Sequence, residues 1–232
     1  MTAKHKNLVA ALFCLSCLAQ LTSGCRDKED PPADQEITVT DVDGNTYKTI
    51  KIGNIVLVRE NLKTTHYRNG DIINTGTKLA TRNTDTEGYF YNYNNNESIA
   101  GTYGRLYDWY ALNDPRGLAP AGCHIATNEE WEAAVEFLGG NEVAGGKMKE
   151  AGQAHWTAPN AGADNSSGFT GLPAGIHYIN GFDNLGYNAF YWTSTSMDDI
   201  SAMARVLSFD KASVSSGNYY KTGAFSVRCV MD

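Results

Sequence analysis

Basic residues are scarce in this chain. Its 232 residues carry 19 Lys and Arg against 26 Asp and Glu, a formal charge of −7 at pH 7. Nucleic-acid binding needs a basic face, so that class of partner is excluded. Cysteine is scarce too, with five residues, and His66, His124, His155 and His177 lie far apart without metal-site spacing. No glycine-rich phosphate loop and no nucleophile elbow is present. Neither a cofactor nor a metal is expected, and the chain reads as a protein that is not an enzyme. Long helical periodicities are missing. So is any apolar run able to span a bilayer: Leu8 to Leu21 holds about 14 residues, where a membrane helix needs about 20.

That short run does have a use. Lys4 and Lys6 precede it and "LTSGC" follows it, the layout of a signal peptide over residues 1–24. The ending resembles a lipobox, in which a cysteine after a small residue is acylated and becomes the new N-terminus. Cys25 is the expected lipid carrier, although Thr22 stands where leucine is usual; the alternative is a plain secretory signal with a chance cysteine. Each buried methylene of an acyl chain adds about 0.8 kcal/mol to membrane binding. The next residues, "RDKEDPPADQE", have no apolar side chain larger than alanine and read as a flexible tether over 25–36. A single domain is expected over 37–232, long enough to bury a core. The expected address is the outer membrane, lipid-anchored, at the cell surface.

Cys14 and Cys17 leave with the leader, and Cys25 takes lipid. Cys123 and Cys229 remain, and in an oxidising compartment a pair of cysteines reads as a disulfide before a metal site.

Within the domain, "ITVTDVDGNTYKTIKIGNIVLVRENL" (37–62) alternates apolar and polar residues around Asp43-Gly44 and Gly53-Asn54, which predicts a β-meander. Residues 63–88 read as loop, "YFYNYNN" (89–95) as a strand edge, and "YGRLYDWYAL" (103–112) as a short helix or turn. The clearest helix begins at Thr127, where Thr127 and Glu130 form a capping box. Trp131, Ala134, Val135 and Leu138 then share one face, and Gly139-Gly140 stops the helix. A second, weaker helix is expected in "EVAGGKMKEAG" (142–152). Short strands follow in "GFTGLPAGIHY", "AFYWTSTS", "ARVLSFD" and "AFSVRCVMD". One or two helices among short antiparallel strands predict an α+β fold.

Several of these segments together resemble the Fibrobacter succinogenes major paralogous domain family: "DVDGNTYKTIKIGN", "ENLKTTHYRNG", "HIATNEEWE", "AGGKMKEAGQAHW", "SGFTGLPAG", "YWTST" and "FSVRCV". They run in collinear order over nearly the whole domain. That family is similar to the C-type-lectin-like superfamily, which includes the formylglycine-generating-enzyme fold. The resemblance implies a C-type-lectin-like core, with helices beside small antiparallel sheets and the first and last strands close together. The superfamily's usual chemistry is not carried over. Its copper-holding enzymes use two closely spaced late cysteines, and here only Cys229 is late. The common lectin calcium motif Trp-Asn-Asp is replaced by Trp192-Thr193-Ser194. Where the family reads Cys-Pro-x-Gly-Trp-His, this chain reads Ala119-Pro120-Ala121-Gly122-Cys123-His124. The family's cysteine position has therefore moved four residues. Four extended residues cover about 13 Å, so a bond from Cys123 to Cys229 needs a local geometry different from the family's.

Cys123 beside His124 invites a nucleophile reading, but neighbours on an extended segment face opposite sides and cannot converge on one substrate. What remains for function is a set of polar turns: 158–168, 180–186, 196–201 and 215–220. The candidate ligand contacts there are Asn160, Asp164, Asp183, Asn184, Asp198, Asp199, Asn218, Tyr219 and Tyr220. Amides and carboxylates suit hydroxyls, and aromatics suit sugar faces. Of the four tryptophans, one is allowed an exposed role of this kind. The expected function is a non-catalytic ligand-binding or adhesion module for a surface glycan or protein. The alternative is a structural or accessory subunit of a surface complex or fimbria.

Overall fold

The alternating residues after Ile37 fold as a three-stranded antiparallel meander. Strands β1 (Thr38–Thr40), β2 (Thr46–Ile52) and β3 (Ile55–Val58) meet through turns at 41–45 and 53–54. Gly44 and Gly53 take φ of 83° and 61°, where a Cβ would be strained. The Asp41 carboxylate ties the first turn, accepting from the amides of Asp43 and Asn45 and from the Tyr47 hydroxyl. The computed structural model describes residues 37–76 and 86–232. The expected leader, the expected lipid carrier Cys25 and the expected tether lie outside the described residues. Residues 36–232 group as one unit. No helix among the described residues is long and apolar enough to cross a membrane.

Downstream lie β4 (Asn74–Thr75), β5 (Tyr89–Tyr91), α1 (Glu97–Tyr103), β6 (Leu106–Asp108), α2 (Trp109–Leu112), β7 (Cys123–Ile125), α3 (Asn128–Phe137) and α4 (Asn141–Met148). The chain ends in β8 (Ala174–Tyr178), β9 (Gly181–Leu185), β10 (Asn188–Ser196), β11 (Ser201–Ser208), β12 (Val214–Tyr220), β13 (Ala224–Phe225) and β14 (Cys229–Met231). Among the described residues these strands form two sheets. The first has the order β1-β2-β3-β14-β7 and is antiparallel throughout, so the last strand lies beside the opening meander. The second runs β12-β11-β10-β8-β13-β6-β5-β4, with β9 folded back onto β8. Two of its pairings are parallel, β10 with β8 and β4 with β5. The fold is α+β, built mostly of antiparallel sheets.

Helix α3 forms as its sequence demands. The Thr127 hydroxyl accepts from the Glu130 amide, and the Glu130 carboxylate accepts from the Thr127 amide. Trp131, Ala134, Val135 and Leu138 are buried on one face. Trp131 packs against Phe169 and Tyr191 with ring centroids 5.4 and 5.3 Å away. Burial of this kind gives a Trp→Ala loss of about 3–5 kcal/mol. Helix α4 carries two glycines because it touches backbone directly. A Cβ on Gly145 would lie 2.4 Å from the Ser213 carbonyl oxygen, and one on Gly146 would lie 2.3 Å from that of Gly162. Just after α4, the buried Lys149 donates to the carbonyls of Ala161, Ser208 and Lys211. It has no carboxylate among these contacts, and burial pulls its pKa down to about 8.

Several local expectations need correction. The 103–112 segment is not one helix or turn: Tyr103 ends α1, Leu106–Asp108 is a fully buried strand between β5 and β13, and Trp109–Leu112 is helical. Asp108 makes the switch, its carboxylate accepting from the Ala111 amide as an N-cap. Tyr89–Tyr91 is not an edge but lies between β4 and β6. Helix α1 is capped by Asn96 and buries only Ala100, so it leaves no apolar stripe to read. Residues 181–185 and 214–220 are strands rather than turns. All four tryptophans are buried, at most 5% exposed, so none offers an open platform.

Candidate functional site

The Cys123-His124 pair divides as the pleat requires. Cys123 faces the core, whereas His124 faces outward and bonds Glu130 Oε1 at 2.8 Å and Asp232 Oδ1 at 2.7 Å. Burial acts to lower the His124 pKa, but hydrogen bonds to Asp232 and Glu130 outweigh it and raise the value above the usual range. The histidine therefore clamps the last strand to the capping box of α3. Cys123 and Cys229 are both free, buried thiols, and the disulfide expected between them is not formed. The register gives the reason: Cys229 lies opposite Ile125, and Cys123 opposite Met231. Diagonal neighbours of this kind are about 7–8 Å apart, at or past the limit for a disulfide. Burial pushes the Cys123 thiol pKa up and that of Cys229 well up, which keeps both unreactive.

A second histidine meets a carboxylate at the first turn, where His66 Nδ1 bonds Asp43 Oδ1. The Thr65 hydroxyl approaches the same ring nitrogen at 3.1 Å. A catalytic triad needs the carboxylate and the nucleophile on opposite ring nitrogens, so this cluster braces the loop instead. No group of three or more His, Cys, Asp or Glu among the described residues is arranged to hold a metal ion.

A cleft of about 350 Å³ opens between the β2–β3 meander, α1 and the turn at 170–172. Its size is at the small end of ligand pockets. Lys48, Arg59, Lys63 and Arg228 line it, and Glu60 is the one carboxylate among the described lining residues. Arg228 forms its base and is 1% exposed. It donates to Asn61 Oδ1 at 2.7 Å and to the carbonyls of Val58 and Phe169 at 3.2 Å, and its guanidinium lies 4.2 Å from the Phe169 ring centroid. Burial lowers its pKa. Arg59 uses Nε and Nη2 on one acceptor, Thr170 Oγ1, at 3.2 Å each. Its Nη1 makes no hydrogen bond among the described residues. Lys63 Nζ has no carboxylate among the described residues and lies 6.0 Å from the Tyr47 ring centroid. A shallower depression shares Lys63 and Gly101 with the cleft and adds Arg105 and Glu97, which pair at 3.3 Å.

The sequence resemblance can be judged against this geometry. The family model for the Fibrobacter succinogenes major domain matches residues 50–231, most of the chain. The chain belongs to the Fibrobacter succinogenes major domain family. No curated protein and no solved structure matches it. The matched span includes Arg59, Lys63 and Arg228 of the cleft and leaves out Lys48.

In this Fibrobacter succinogenes major domain, none of the nine ligand contacts expected from sequence lines the cleft. Asn160 is buried and donates to the carbonyls of Glu150 and Gly152, so it shapes a turn. Asp164 is exposed and accepts from the Ser166 amide. Asp183 and Asn184 lie on β9, where Asp183 accepts from the Asn184 amide and Asn184 accepts from Asn188. The other five do gather at one end of the second sheet, because the β11–β12 register sets Ser201 opposite Tyr220. Asp198 is held below the usual carboxylate range by hydrogen bonds from Ser201 and the Ile200 amide. The carbonyls of Asp198 and Asp199 accept from Lys221 Nζ. Asn218 is exposed, while Tyr219 packs on Phe225 and Tyr220 stacks on Tyr178. The cleft itself was missed by sequence reasoning. Its signal was the run Lys48, Lys51, Arg59 and Lys63, a local surplus of cations in an acidic chain.

Proposed function

We propose that this chain is a lipid-anchored outer-membrane protein that presents a non-catalytic ligand-binding or adhesion module at the cell surface. The observation that carries this reading is the cleft, lined by Arg59 and Lys63, with no carboxylate among the described residues bound to either. Charged side chains left unmatched in a concave site favour a ligand that matches them. A C-type-lectin-like fold is part of the reading, and the pairing of β14 with β3, which joins the ends of the domain, supports it. The ligand is a surface glycan or protein. The test is a glycan-array screen and a cell-surface pull-down run with the wild type and with an Arg59→Gln/Lys63→Gln double variant. Loss of the captured ligands in the double variant is the expected result. Capture that is unchanged would refute the cleft as the binding site.

A second reading is a structural or accessory subunit of a surface complex or fimbria. Apolar side chains near the Tyr178–Tyr220 stack favour it: Ile179 is 58% exposed, Met197 50% and Ile200 44%. A tight protein partner, recovered independently of the cleft substitutions and lost in an Ile179→Ser/Ile200→Ser variant, would select this reading.

A further inference from the structure

The cleft described above has a charge that the rest of the molecule lacks, and the inference here rests on its reading as the ligand site. We propose that it binds an acidic saccharide, with the carboxylate or sulfate of the sugar seated between Arg59 and Lys63.

Three observations converge on an anion. First, the chain as a whole is acidic, at −7, yet among the described residues the cationic Arg59, Lys63 and Arg228 line this cleft with one carboxylate, Glu60. Second, the base of the cleft is a buried guanidinium with no ion pair. The hydrogen bonds of Arg228 go to Asn61 and to backbone carbonyls, so its positive charge is not cancelled by contact with any carboxylate among the described residues. Glu60 attracts it through space, but a buried guanidinium without a contact ion pair still projects its field into the nearest concavity. Third, the two cations at the walls have capacity left. Arg59 spends two donor groups on one hydroxyl, and its Nη1 bonds nothing among the described residues. Lys63 Nζ bonds no carboxylate among the described residues. A guanidinium edge and an ammonium together suit a carboxylate or sulfate.

The remaining lining indicates what carries the anion. About 350 Å³ is far more than one ion fills. Thr102 brings an exposed side chain with a hydroxyl to the rim, and Leu172 supplies an apolar wall. Hydroxyl, amide and short apolar surface beside a charge clamp suit the mixed faces of a sugar ring. A nucleic-acid backbone is a poor match, because a polyanion needs a cationic track rather than one cationic cleft on an acidic body.

The experiment is a calorimetric or NMR titration of the intact protein with glucuronate, glucose and inorganic sulfate. Glucuronate should bind at least about tenfold more tightly than glucose. Its affinity should fall as salt rises from about 0.02 M to about 0.5 M, over which the screening length shortens several-fold. Arg59→Gln and Lys63→Gln should each weaken it about tenfold, Arg59→Lys and Lys63→Arg should restore part of it, and Lys211→Gln, outside the cleft, should leave it unchanged. Melting curves equal to wild type show that the variants are folded. Glucose binding as tightly as glucuronate, with both lost in the cleft variants, would overturn the acidic preference while leaving the cleft as the site. Glucuronate binding that survives both substitutions would overturn the site itself. Sulfate competing as tightly as glucuronate would overturn the saccharide and leave a bare anion site. No glucuronate binding at all would overturn the proposal.

Discussion

Two glycine-to-alanine substitutions, identical in chemistry, should move stability in opposite directions. Both Gly101 and Gly146 lie inside helices, α1 and α4. Alanine in a helix interior is favoured over glycine by about 1 kcal/mol, and it also restricts the unfolded chain. At Gly101 a new Cβ meets nothing within 4 Å. Gly101→Ala should therefore stabilise by about 0.5–1 kcal/mol. At Gly146 the new Cβ would lie 2.3 Å from the Gly162 carbonyl oxygen and 2.9 Å from its carbon. Neither partner is the end of a flexible side chain, so backbone must move. The movement would strain the bonds that pin Gly146, its amide to the Ala212 carbonyl at 2.8 Å and its carbonyl from the Asp164 amide at 3.1 Å. Overpacking of this kind costs about 1–3 kcal/mol, and a lost hydrogen bond adds about 1 kcal/mol. The propensity gain is smaller, so Gly146→Ala should destabilise by about 1–3 kcal/mol. The assay is urea unfolding followed by tryptophan fluorescence, with equal slopes required before midpoints are compared. A Gly146→Ala protein as stable as Gly101→Ala would show that α4 does not press on the 160–164 backbone, and the packing argument would fall.

Other outcomes follow from the site geometry. The His124 pKa is raised in the fold, so its contribution is complete below about pH 6.5 and is lost as pH climbs through the folded value. The melting temperature should decline across that window, by less than about 1 kcal/mol of stability because the ring is part-exposed, and His124→Gln should flatten the decline; an unchanged pH profile in the variant counts against the clamp. A protein lacking its first 25 residues should show two titratable thiols on denaturation without reductant and almost none while folded, whereas absence of thiols after denaturation would mean that Cys123 and Cys229 had bonded. Cys25→Ala should move the protein from the membrane fraction to the soluble one, and full retention in the membrane would refute the lipid anchor.

The legible parts of the fold were those written in local chemistry. Thr127 with Glu130, the apolar face from Trp131 to Leu138, and the turns at Gly44 and Gly53 each carry a signal a few residues long. Strand β6 was illegible because both of its faces are buried, which removes alternation, and Asp108 both ends the strand and caps the helix after it. Tyr219 and Tyr220 looked like loop residues beside Ser215, Ser216 and Gly217, but pairing with β11 draws them into a sheet. The cleft was illegible for a further reason. Arg59 and Arg228 are 169 positions apart in the chain, and only the pairing of β3 with β14 makes them neighbours. Asn160 shows the converse error: a polar residue in an Asn-rich turn, buried with its Nδ2 donating to two backbone carbonyls.

The central claim is that the cleft over Arg228 is where this protein meets its ligand. The most direct measurement is a backbone-amide NMR titration of the isotope-labelled protein with a glycan recovered from the array. Shifts concentrated at Asn61, Thr102, Thr170 and Leu172 are the predicted result. Shifts confined to Asn218, Tyr219 and Tyr220, or spread over the sheet end around Ile179 and Ile200, would contradict it.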